Sequence, residues 1–423
     1  MPVTIRVPMC DFVIFGGTDD LAVRQLLPAL YRCDRDGRLS DETRVIVTAR
    51  AGLDDAGYRD EVRGELLRFV DPADSDEIVV QRFLNRLSYV SLDASDGESW
   101  PLLVDRVRTR SGGIRVFYLA CAPSLFGPIC ARLNEQSLVD DQSRVVLEKP
   151  IGVGTRGGYY DTSGALRDMV QNHLLQLLCL VAMEPPTHVH RESVRDEKLK
   201  VLQALSPLTP ADVDAKVVAG QCGPGLVVGA PVPTYTDEIH KGDSRTETFV
   251  AIKAEVRNWR WASVPFYLRT GKPMDHASSE IVMQFKSVPH PMFLGSEGTA
   301  EPNRLVLALQ PDGGMRLHMM AREPGPGGIR LRPVSLDLSY AHTFQLRLPD
   351  AYERLLMDVV QGNTTLFMRR DEVEAAWRWV EPILTRWVDA TRPPNYAAGT
   401  NGQTAATSLI DRDNRARYEG QAA

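Results

Sequence analysis

Two consecutive glycines lie between a short apolar run and a helical pattern, where a chain could bind a phosphate group. Residues 11–15 form the apolar run, Gly16 and Gly17 follow it, and leucines then recur at helical spacing as far as residue 30. In an open α/β sheet such a turn lets the backbone approach a pyrophosphate, and the first helical turn offers unbonded N–H groups. Two glycines also occur in ordinary tight turns, so this pattern alone leaves both interpretations open.

The imidazole of His173 is the candidate acid–base group. It follows Leu166 by seven residues and precedes Leu177 by four, so it belongs to the apolar stripe of a predicted helix. One interpretation is a core histidine with satisfied hydrogen bonds. The other is a base in a partly desolvated pocket, because a neutral imidazole accepts a proton near pH 7.

Arg50 follows the second apolar run, at residues 45–48. An NAD-dependent enzyme places an acidic residue here to bind the ribose 2′-hydroxyl, whereas an arginine suits a 2′-phosphate through its charge and its bidentate geometry. An arginine at this place can also be an ordinary surface residue. The residues alone leave these two interpretations open, and the first of them would make NADP the cofactor.

The first 150 residues are predicted to form a parallel α/β sheet, because short apolar runs alternate with helical stretches. The runs are residues 11–15, 45–48, 114–120 and 144–147. We expect a Rossmann-like NADP-binding domain over residues 1–152.

Beyond Tyr159 the pattern changes. An apolar helix comes first, and it is followed by period-two runs, which predict an antiparallel sheet, and by two further helices. The period-two runs are residues 246–256, 280–285, 304–310 and 315–320, and the helices are residues 351–360 and 372–386. We expect residues 153–423 to form a larger α+β domain with a loosely ordered tail after Pro394.

The composition excludes several classes of function. The 423 residues are 43% hydrophobic and 25% charged with a net charge of -6, so the chain has no diffuse positive field for a nucleic-acid backbone. The longest apolar run, residues 174–183, is far shorter than the ~20 residues that span a bilayer. Residues 1–10 contain no signal-peptide core, so we expect a cytoplasmic protein without membrane contact.

The sequence also predicts no metal site and no disulfide framework. The six cysteines show no Cys-x-x-Cys spacing and are expected to be buried thiols. His188 and His190 stand close together, but no third ligand lies at a suitable spacing.

One long segment gives the most specific signal in the chain. Residues 159–176, which read YYDTSGALRDMVQNHLLQ, resemble the catalytic segment of glucose-6-phosphate dehydrogenases, and residues 16–22 resemble the coenzyme fingerprint of that family. Further segments that are similar to the family pattern are residues 26–31, 148–150, 193–198, 258–261, 265–272, 310–312, 349–356 and 367–372.

This resemblance implies the NADP-dependent oxidation of glucose 6-phosphate to 6-phosphoglucono-lactone, a reaction of the oxidative pentose phosphate pathway. His173 would remove the proton from the C1 hydroxyl while hydride leaves C1 for the nicotinamide. The implied substrate contacts are Lys149, Asp168, Lys272 and Gln310. The implied cofactor contacts are Gly16, Gly17, Thr18, Asp20, Leu21, Arg50 and Lys149. The resemblance also implies a homo-oligomer, either a dimer or a tetramer, and a cis peptide bond before Pro150.

The chain departs from the family pattern at single positions. Asp19 replaces a glycine in the coenzyme turn, Gln25 replaces a basic residue, and Ala277 stands where the family has a cation. A carboxylate within ~4 Å of a phosphate costs about 1 kcal/mol in water and about 4 kcal/mol at an effective dielectric constant near 20. Coenzyme binding would then be weakened. Alternatively, Asp19 points outward as a helix N-cap, which would avoid most of this penalty.

Only eight residues separate Pro150 from Tyr159, and four of them are glycine. In the resembling family this interval holds some tens of residues, including the last helix and strand of the coenzyme domain. It also includes an Arg-Ile-Asp-His-Tyr-Leu-Gly-Lys motif whose histidine, tyrosine and lysine grip the sugar phosphate and whose aspartate orients the catalytic histidine. We therefore expect an internal deletion and impaired activity. The alternatives are a non-catalytic homologue that acts as a partner subunit and a weak nucleotide-binding module.

Overall fold

The computed structural model describes residues 6–110, 112–147, 157–290, 301–326, 330–344, 347, 349–388, 392–416 and 418. The chain divides into two compact units. The first unit contains Met1–Val153 and Pro349–Phe367, and the second contains Gly154–Leu348 and Met368–Ala423.

The strands are β1 (Cys10–Phe15), β2 (Arg44–Ala49), β3 (Leu87–Ser91), β4 (Ile114–Leu119), β5 (Ser143–Leu147), β6 (Val217–Gly223), β7 (Gly225–Val227), β8 (Ala230–Val232), β9 (Phe249–Glu255), β10 (Pro265–Gly271), β11 (Ser279–Gln284), β12 (Arg304–Gln310), β13 (Gly314–Arg322), β14 (Leu331–Ser339) and β15 (Asn395–Ala397).

The α-helices are α1 (Leu27–Arg35), α2 (Asp55–Phe69), α3 (Glu77–Leu84), α4 (Trp100–Arg108), α5 (Phe126–Glu135), α6 (Gly157–Ala165), α7 (Leu175–Ala182), α8 (Arg191–Gln203), α9 (Pro210–Lys216), α10 (Tyr235–Glu238), α11 (Tyr340–Phe344), α12 (Ala351–Gln361), α13 (Arg370–Trp387) and α14 (Ala405–Asp411). Two further segments, Ala22–Leu26 and Leu166–Leu174, are wound as π-helix, and Pro72–Asp74 and Pro123–Leu125 form 3₁₀ turns.

The first unit is built on a parallel sheet whose described strands have the order β3-β2-β1-β4-β5. Phe12 and Ile14 of β1 enter one buried core and Val13 and Phe15 enter another, because both faces of a parallel sheet are covered. The strand order reverses between β1 and β4, and the carboxyl ends of two such strands are where these sheets bind dinucleotides. The predicted α/β sheet is confirmed, and β3 is a strand that the sequence analysis did not predict.

Strand β5 is the outermost strand of this sheet among the described residues. Val145 is 41% exposed and Leu147 is 58% exposed, whereas Phe117 and Leu119 of the neighbouring β4 are fully buried. The expected loss of the next helix and strand stays a prediction, because residues 148–156 lie outside the described part of the chain.

Helix α12 belongs to the first unit although most of the second unit precedes it in sequence. Asp350 begins the helix with a capping box that includes Glu353, and Leu356, Met357 and Val360 join the buried core of the parallel sheet. The sequence-based division at residue 152 does not account for this return of the chain. An apolar stripe predicts a packed helix, but it does not show which sheet the helix packs against.

The second unit contains two four-stranded sheets, with the orders β10-β9-β6-β15 and β11-β12-β13-β14, and a β7-β8 hairpin. Strand β9 pairs antiparallel with both β10 and β6, and its residues Phe249, Val250 and Ile252 pack in one core with residues of the π-helix, α7 and α13. The other four-stranded sheet is antiparallel throughout. The predicted α+β domain is confirmed, and β6, β10 and β14 were not predicted.

The tail after Pro394 is folded over its first part, and the prediction of a loosely ordered tail was wrong there. Strand β15 pairs in parallel with β6. Tyr396 is only 4% exposed, and its ring centre lies 5.5 Å from that of Phe249. The small and polar composition of the tail predicted a loop, but one buried tyrosine anchors it to the core.

Within the described residues, the helices are all too short or too polar to cross a membrane. The same residues contain no group of three or more His, Cys, Asp or Glu side chains that could hold a metal ion. All six cysteines are free thiols, and Cys10, Cys33, Cys179 and Cys222 are buried as expected. Cys121 is half-buried and Cys130 is exposed, so the expectation of a buried thiol was wrong for Cys130.

Candidate active site

The turn after β1 requires glycine at both of its first two positions. The N–H groups of Gly16 and Gly17 donate to the carbonyl oxygen of Thr48 at 2.9 and 3.0 Å. Gly16 has a φ of +86°, and a Cβ at this position would lie 2.6 Å from the carbonyl oxygen of Ala120. A Cβ on Gly17 would lie 1.7 Å from a methyl carbon of Val47. The turn is therefore held tightly against the ends of the neighbouring strands, at the switch point of the sheet.

The other predicted cofactor residues of this turn lie at the start of the following helix. Thr18 is exposed, and Asp20 and Leu21 are half-buried. Asp20 pairs with Arg24 across 3.4 Å. The structure thus brings Gly16, Gly17, Thr18, Asp20 and Leu21 together in one loop.

The carboxylate of Asp19 lies over this turn. Its Oδ2 atom is 3.1 Å from the place where a Cβ on Gly16 would stand. Burial raises the pKa of the nearby Cys121 thiol to about 11, and the charge of Asp19 adds to that effect. Cys121 follows β4, so the Asp19 carboxylate is on the side where the pyrophosphate of a dinucleotide binds. Asp19 also directly precedes the first helical residue, and its backbone carbonyl accepts the N–H of Val23 at 3.1 Å, as that of an N-cap residue does. The structure therefore fits both interpretations of Asp19.

Arg50 is exposed and directly follows β2. A carboxylate, that of Asp93, lies near it. Hydrogen bonds from Ser95 lower the pKa of Asp93, and the positive charge of Arg50 contributes to the same shift.

In the second unit, Asp168 and His173 lie on the same π-helical segment, Leu166–Leu174. Residues five apart would lie ~140° apart around an α-helix, but they complete roughly one turn of a π-helix, which is held by i→i+5 hydrogen bonds. The π-helix therefore places the two side chains on one face. Asp168 is 8% exposed, whereas His173 is exposed, so the interpretation of His173 as a core histidine was wrong.

Lys272 and Asp168 meet around the ring of Tyr160. The Nζ atom of Lys272 lies 4.1 Å from the ring centre. Although the residue as a whole is exposed, desolvation of its ammonium lowers the pKa of Lys272, while the negative charges of Asp168 and Glu238 act in the opposite direction. Burial raises the pKa of the Tyr160 phenol, with further contributions from Glu247 and Asp168.

Tyr160 was not among the predicted site residues. It belongs to the segment that resembles the family. Nothing in the sequence indicates that Lys272, which follows 112 positions later, lies on the ring of this tyrosine. The described cluster of Asp168, Tyr160 and Lys272 combines a buried carboxylate, an apolar ring and an ammonium donor, which is suited to a polyhydroxy ligand.

The remaining predicted residues are not brought into this cluster by any described contact. Gln310 is exposed at the end of β12, opposite Ser279 of β11, and the Gln310–Pro311 peptide bond is cis. Lys149 and the peptide bond before Pro150 lie outside the described residues.

Two family models match the chain. The model described as "Glucose-6-phosphate dehydrogenase, NAD binding domain" matches residues 13–174, and the model described as "Glucose-6-phosphate dehydrogenase, C-terminal domain" matches residues 129–418. The chain is 55% identical to a glucose-6-phosphate 1-dehydrogenase of Mycolicibacterium smegmatis, over 99% of both chains. It is 43% identical to one of Rhizobium meliloti, over 97% of this chain and 98% of the relative.

Solved structures give the same result. A glucose-6-phosphate dehydrogenase in complex with its substrate glucose-6-phosphate superposes with a TM-score of 0.84 and 28% sequence identity. The match covers 99% of this chain and 100% of the neighbour's chain. A glucose-6-phosphate 1-dehydrogenase from Mycobacterium avium has a TM-score of 0.81 and 31% identity, with 99% of both chains covered.

The match to the Mycolicibacterium smegmatis relative also bears on chain length. It extends over 490 aligned positions, whereas this chain has 423 residues, so at least 67 positions of the alignment have no residue here. This number agrees with the loss of some tens of residues, and the location of the loss between Pro150 and Tyr159 stays a prediction.

Family models that match most of the chain, and relatives aligned over nearly its whole length, show that the chain belongs to the glucose-6-phosphate dehydrogenase family.

Proposed function

We propose that this chain is an NADP-dependent glucose-6-phosphate dehydrogenase whose turnover is strongly reduced. The observation that carries this proposal is the π-helical segment that bears Asp168 and His173, with Asp168 close enough to Lys272, which lies on the ring of Tyr160, to act on its charge. Family membership supplies the reaction, and one structural neighbour is a complex with its substrate glucose-6-phosphate.

In the proposed reaction His173 accepts the proton of the C1 hydroxyl. The C1–H electron pair leaves as hydride, so that C1 becomes the carbonyl carbon of the lactone. The nicotinamide supplies the hydride acceptor when the coenzyme is bound. Asp168 accepts hydrogen bonds from sugar hydroxyls, and Lys272 donates to them. Lys149 and Gln310 complete the proposed set of substrate contacts.

The coenzyme is proposed to bind at the turn of the first unit through Gly16, Gly17, Thr18, Asp20 and Leu21, with Lys149 as a further contact. The backbone geometry of the turn fits a dinucleotide, because its two glycines allow a tight turn at the switch point of the sheet. Arg50 is proposed to bind the 2′-phosphate of NADP.

Replacing Arg50 by Ala should weaken NADP binding about tenfold, because a hydrogen bond to a charged group contributes about 1.5–3 kcal/mol and this site is exposed. NAD binding should not change, since NAD lacks the 2′-phosphate. Both affinities can be measured by titrating tryptophan fluorescence. Arg68→Ala, which removes another exposed arginine of the first unit, is the control. Equal affinities of the parent chain for NAD and NADP would contradict the assignment of the cofactor.

We also propose that the chain forms a homo-oligomer through the β11–β14 sheet. The pairing of these strands places apolar side chains opposite one another on one face, and none of them joins the hydrophobic cores of the described residues. These side chains are Ile281, Met283, Leu305, Leu307, Met315, Leu317, Met319, Val334, Leu336 and Leu338. A face of this kind is self-complementary when two copies meet about a twofold axis.

Sedimentation should therefore show a dimer or a tetramer, and Leu336→Lys should shift it toward the monomer. Leu336 is 59% exposed in the single chain, so the lysine should not disturb the fold of the unit itself. Ser335→Lys, on the opposite face of the same strand, is the matched control. A parent chain that sediments as a monomer would refute this proposal.

A further inference from the structure

One short segment, residues 241–248, holds the start of the Asp168–His173 helix. We call it the clasp segment. At its first end, the carboxylate of Asp161 accepts hydrogen bonds from Lys241 Nζ at 2.7 Å and from the hydroxyl of Ser244. The hydroxyl of Thr246 donates to the backbone carbonyl of Asp161 at 2.6 Å. Three residues of the clasp segment therefore fix α6 just before it bends.

At the bend itself the contacts come from Glu247. Its backbone carbonyl accepts from the N–H of Ala165 at 3.0 Å, and its carboxylate Oε1 accepts from the N–H of Leu166 at 2.9 Å. Gly164 has a φ of +67°, and a Cβ there would lie 2.4 to 2.7 Å from the carboxylate atoms of Glu247. The chain thus reverses at a glycine because the carboxylate occupies the space of a side chain. It leaves the bend directly into the π-helix, which begins at Leu166.

The next residue of the clasp segment, Thr248, holds Lys272. Its backbone carbonyl accepts from the N–H of Lys272 at 3.0 Å. Its hydroxyl lies 3.0 Å from the hydroxyl of Tyr396, which in turn donates to the backbone carbonyl of Lys272. Two consecutive residues, Glu247 and Thr248, therefore fix the helix of Asp168 and His173 on one side and the backbone of Lys272 on the other.

Burying a carboxylate at a bend costs desolvation free energy. Glu247 is buried, and burial raises the pKa of its carboxyl, while the hydrogen bond from Leu166 and the charge of Arg167 oppose that effect. The negative charge stands at the N-terminus of the helical segment, where the helix dipole favours it. Two further titratable groups, Tyr160 and Tyr235, also interact with Glu247.

We propose that Glu247 is a positioning residue for the sugar site: it fixes where the π-helix begins, and so places Asp168 and His173 relative to Lys272. This inference rests on the proposed function for the role of those three residues. It assigns to Glu247 no contact with the substrate and no proton transfer.

The test compares Glu247→Ala and Glu247→Gln in the full chain, with histidines carrying a ¹³C label at Cε1. The His173 signal is identified by its loss in His173→Asn. Glu247→Ala should shift the His173 signal and its titration midpoint and weaken glucose 6-phosphate binding about tenfold. Glu247→Gln should largely preserve the parent His173 signal and the binding of glucose 6-phosphate, because the amide oxygen can still accept a hydrogen bond from the Leu166 N–H.

The matched control is Glu372→Gln. Glu372 is a fully buried carboxylate of the same unit that pairs with Lys198 at 2.8 Å. This variant should lower the melting temperature without moving the His173 signal. If Glu247→Ala does not fold, Glu247→Asp, which shortens the side chain by one methylene, should shift the signal in its place.

A His173 signal that stays within the range of the Glu372→Gln control, in whichever Glu247 variant folds, would overturn the proposal. Failure of the parent chain to bind glucose 6-phosphate would instead count against the proposed function. The His173 signal would still report whether Glu247 positions the helix.

Discussion

The purified chain should form NADPH from glucose 6-phosphate ~10² to 10⁴ times more slowly than a version that carries the corresponding segment of its Mycolicibacterium smegmatis relative between Pro150 and Tyr159. General-base catalysis contributes ~10² to 10⁴-fold and requires the base to be oriented within hydrogen-bond reach of the proton. The aspartate that orients the base in the family is expected to be missing here. The residues that grip the sugar phosphate are expected to be missing too, and a displacement of about 1 Å can cost roughly another 10².

The assay follows NADPH absorbance at saturating glucose 6-phosphate. His173→Asn should change the rate of the parent chain little, because the base is already poorly oriented, but it should abolish the activity of the restored version. A parent rate within about tenfold of the restored version would mean that another part of this chain replaces the phosphate grip. An inactive parent that still binds NADP would favour the non-catalytic alternatives, namely a partner subunit or a weak nucleotide-binding module.

The second large effect is expected at the coenzyme turn, where Asp19→Gly should tighten NADP binding. The carboxylate of Asp19 lies over Gly16 near the ends of β1 and β4. Removing one charge at ~4 Å from a phosphate is worth about 1 kcal/mol in water and about 4 kcal/mol at an effective dielectric constant near 20, which corresponds to roughly 5-fold to 10³-fold in affinity.

Asp19→Asn separates charge from shape, since it keeps the size of the side chain and removes the charge. We expect Asn to give most of the gain, and we expect the gain to shrink as salt is added. Calorimetric titration with NADP measures both. Unchanged affinity in both variants would contradict the electrostatic explanation and would support the N-cap interpretation of Asp19.

The sequence predicted the sheet of the first unit well because most of its strands contain continuous apolar runs, such as residues 12–15. Strands whose sequences mix polar and small residues, such as β6 and β15, were missed since they depend on partners far away in sequence. The same holds for Lys272, whose backbone is held near Tyr160 by a hydrogen bond to Thr248.

The relation between Asp168 and His173 shows a different limit of sequence reasoning. Their types and their spacing were plain, but α-helical spacing placed the histidine on the apolar stripe. The π-helix changes that conclusion, because it alters the number of residues in each turn. A pattern of side chains does not show which carbonyl oxygen each backbone N–H bonds to. Here the π-helix begins at a bend where the N–H of Leu166 donates to the buried carboxylate of Glu247.

The place of α12 has a consequence for the order in which the protein is made. Leu356, Met357 and Val360 belong to the core of the parallel sheet, but ribosomes synthesise them after most of the second unit. The N-terminal unit therefore cannot complete its core while the chain is emerging, although N-terminal domains usually fold first during synthesis. Apolar surface on α1 and β4 stays uncovered until α12, more than 200 residues later in the chain, has been made and has packed against it. Closing so long a loop is slow.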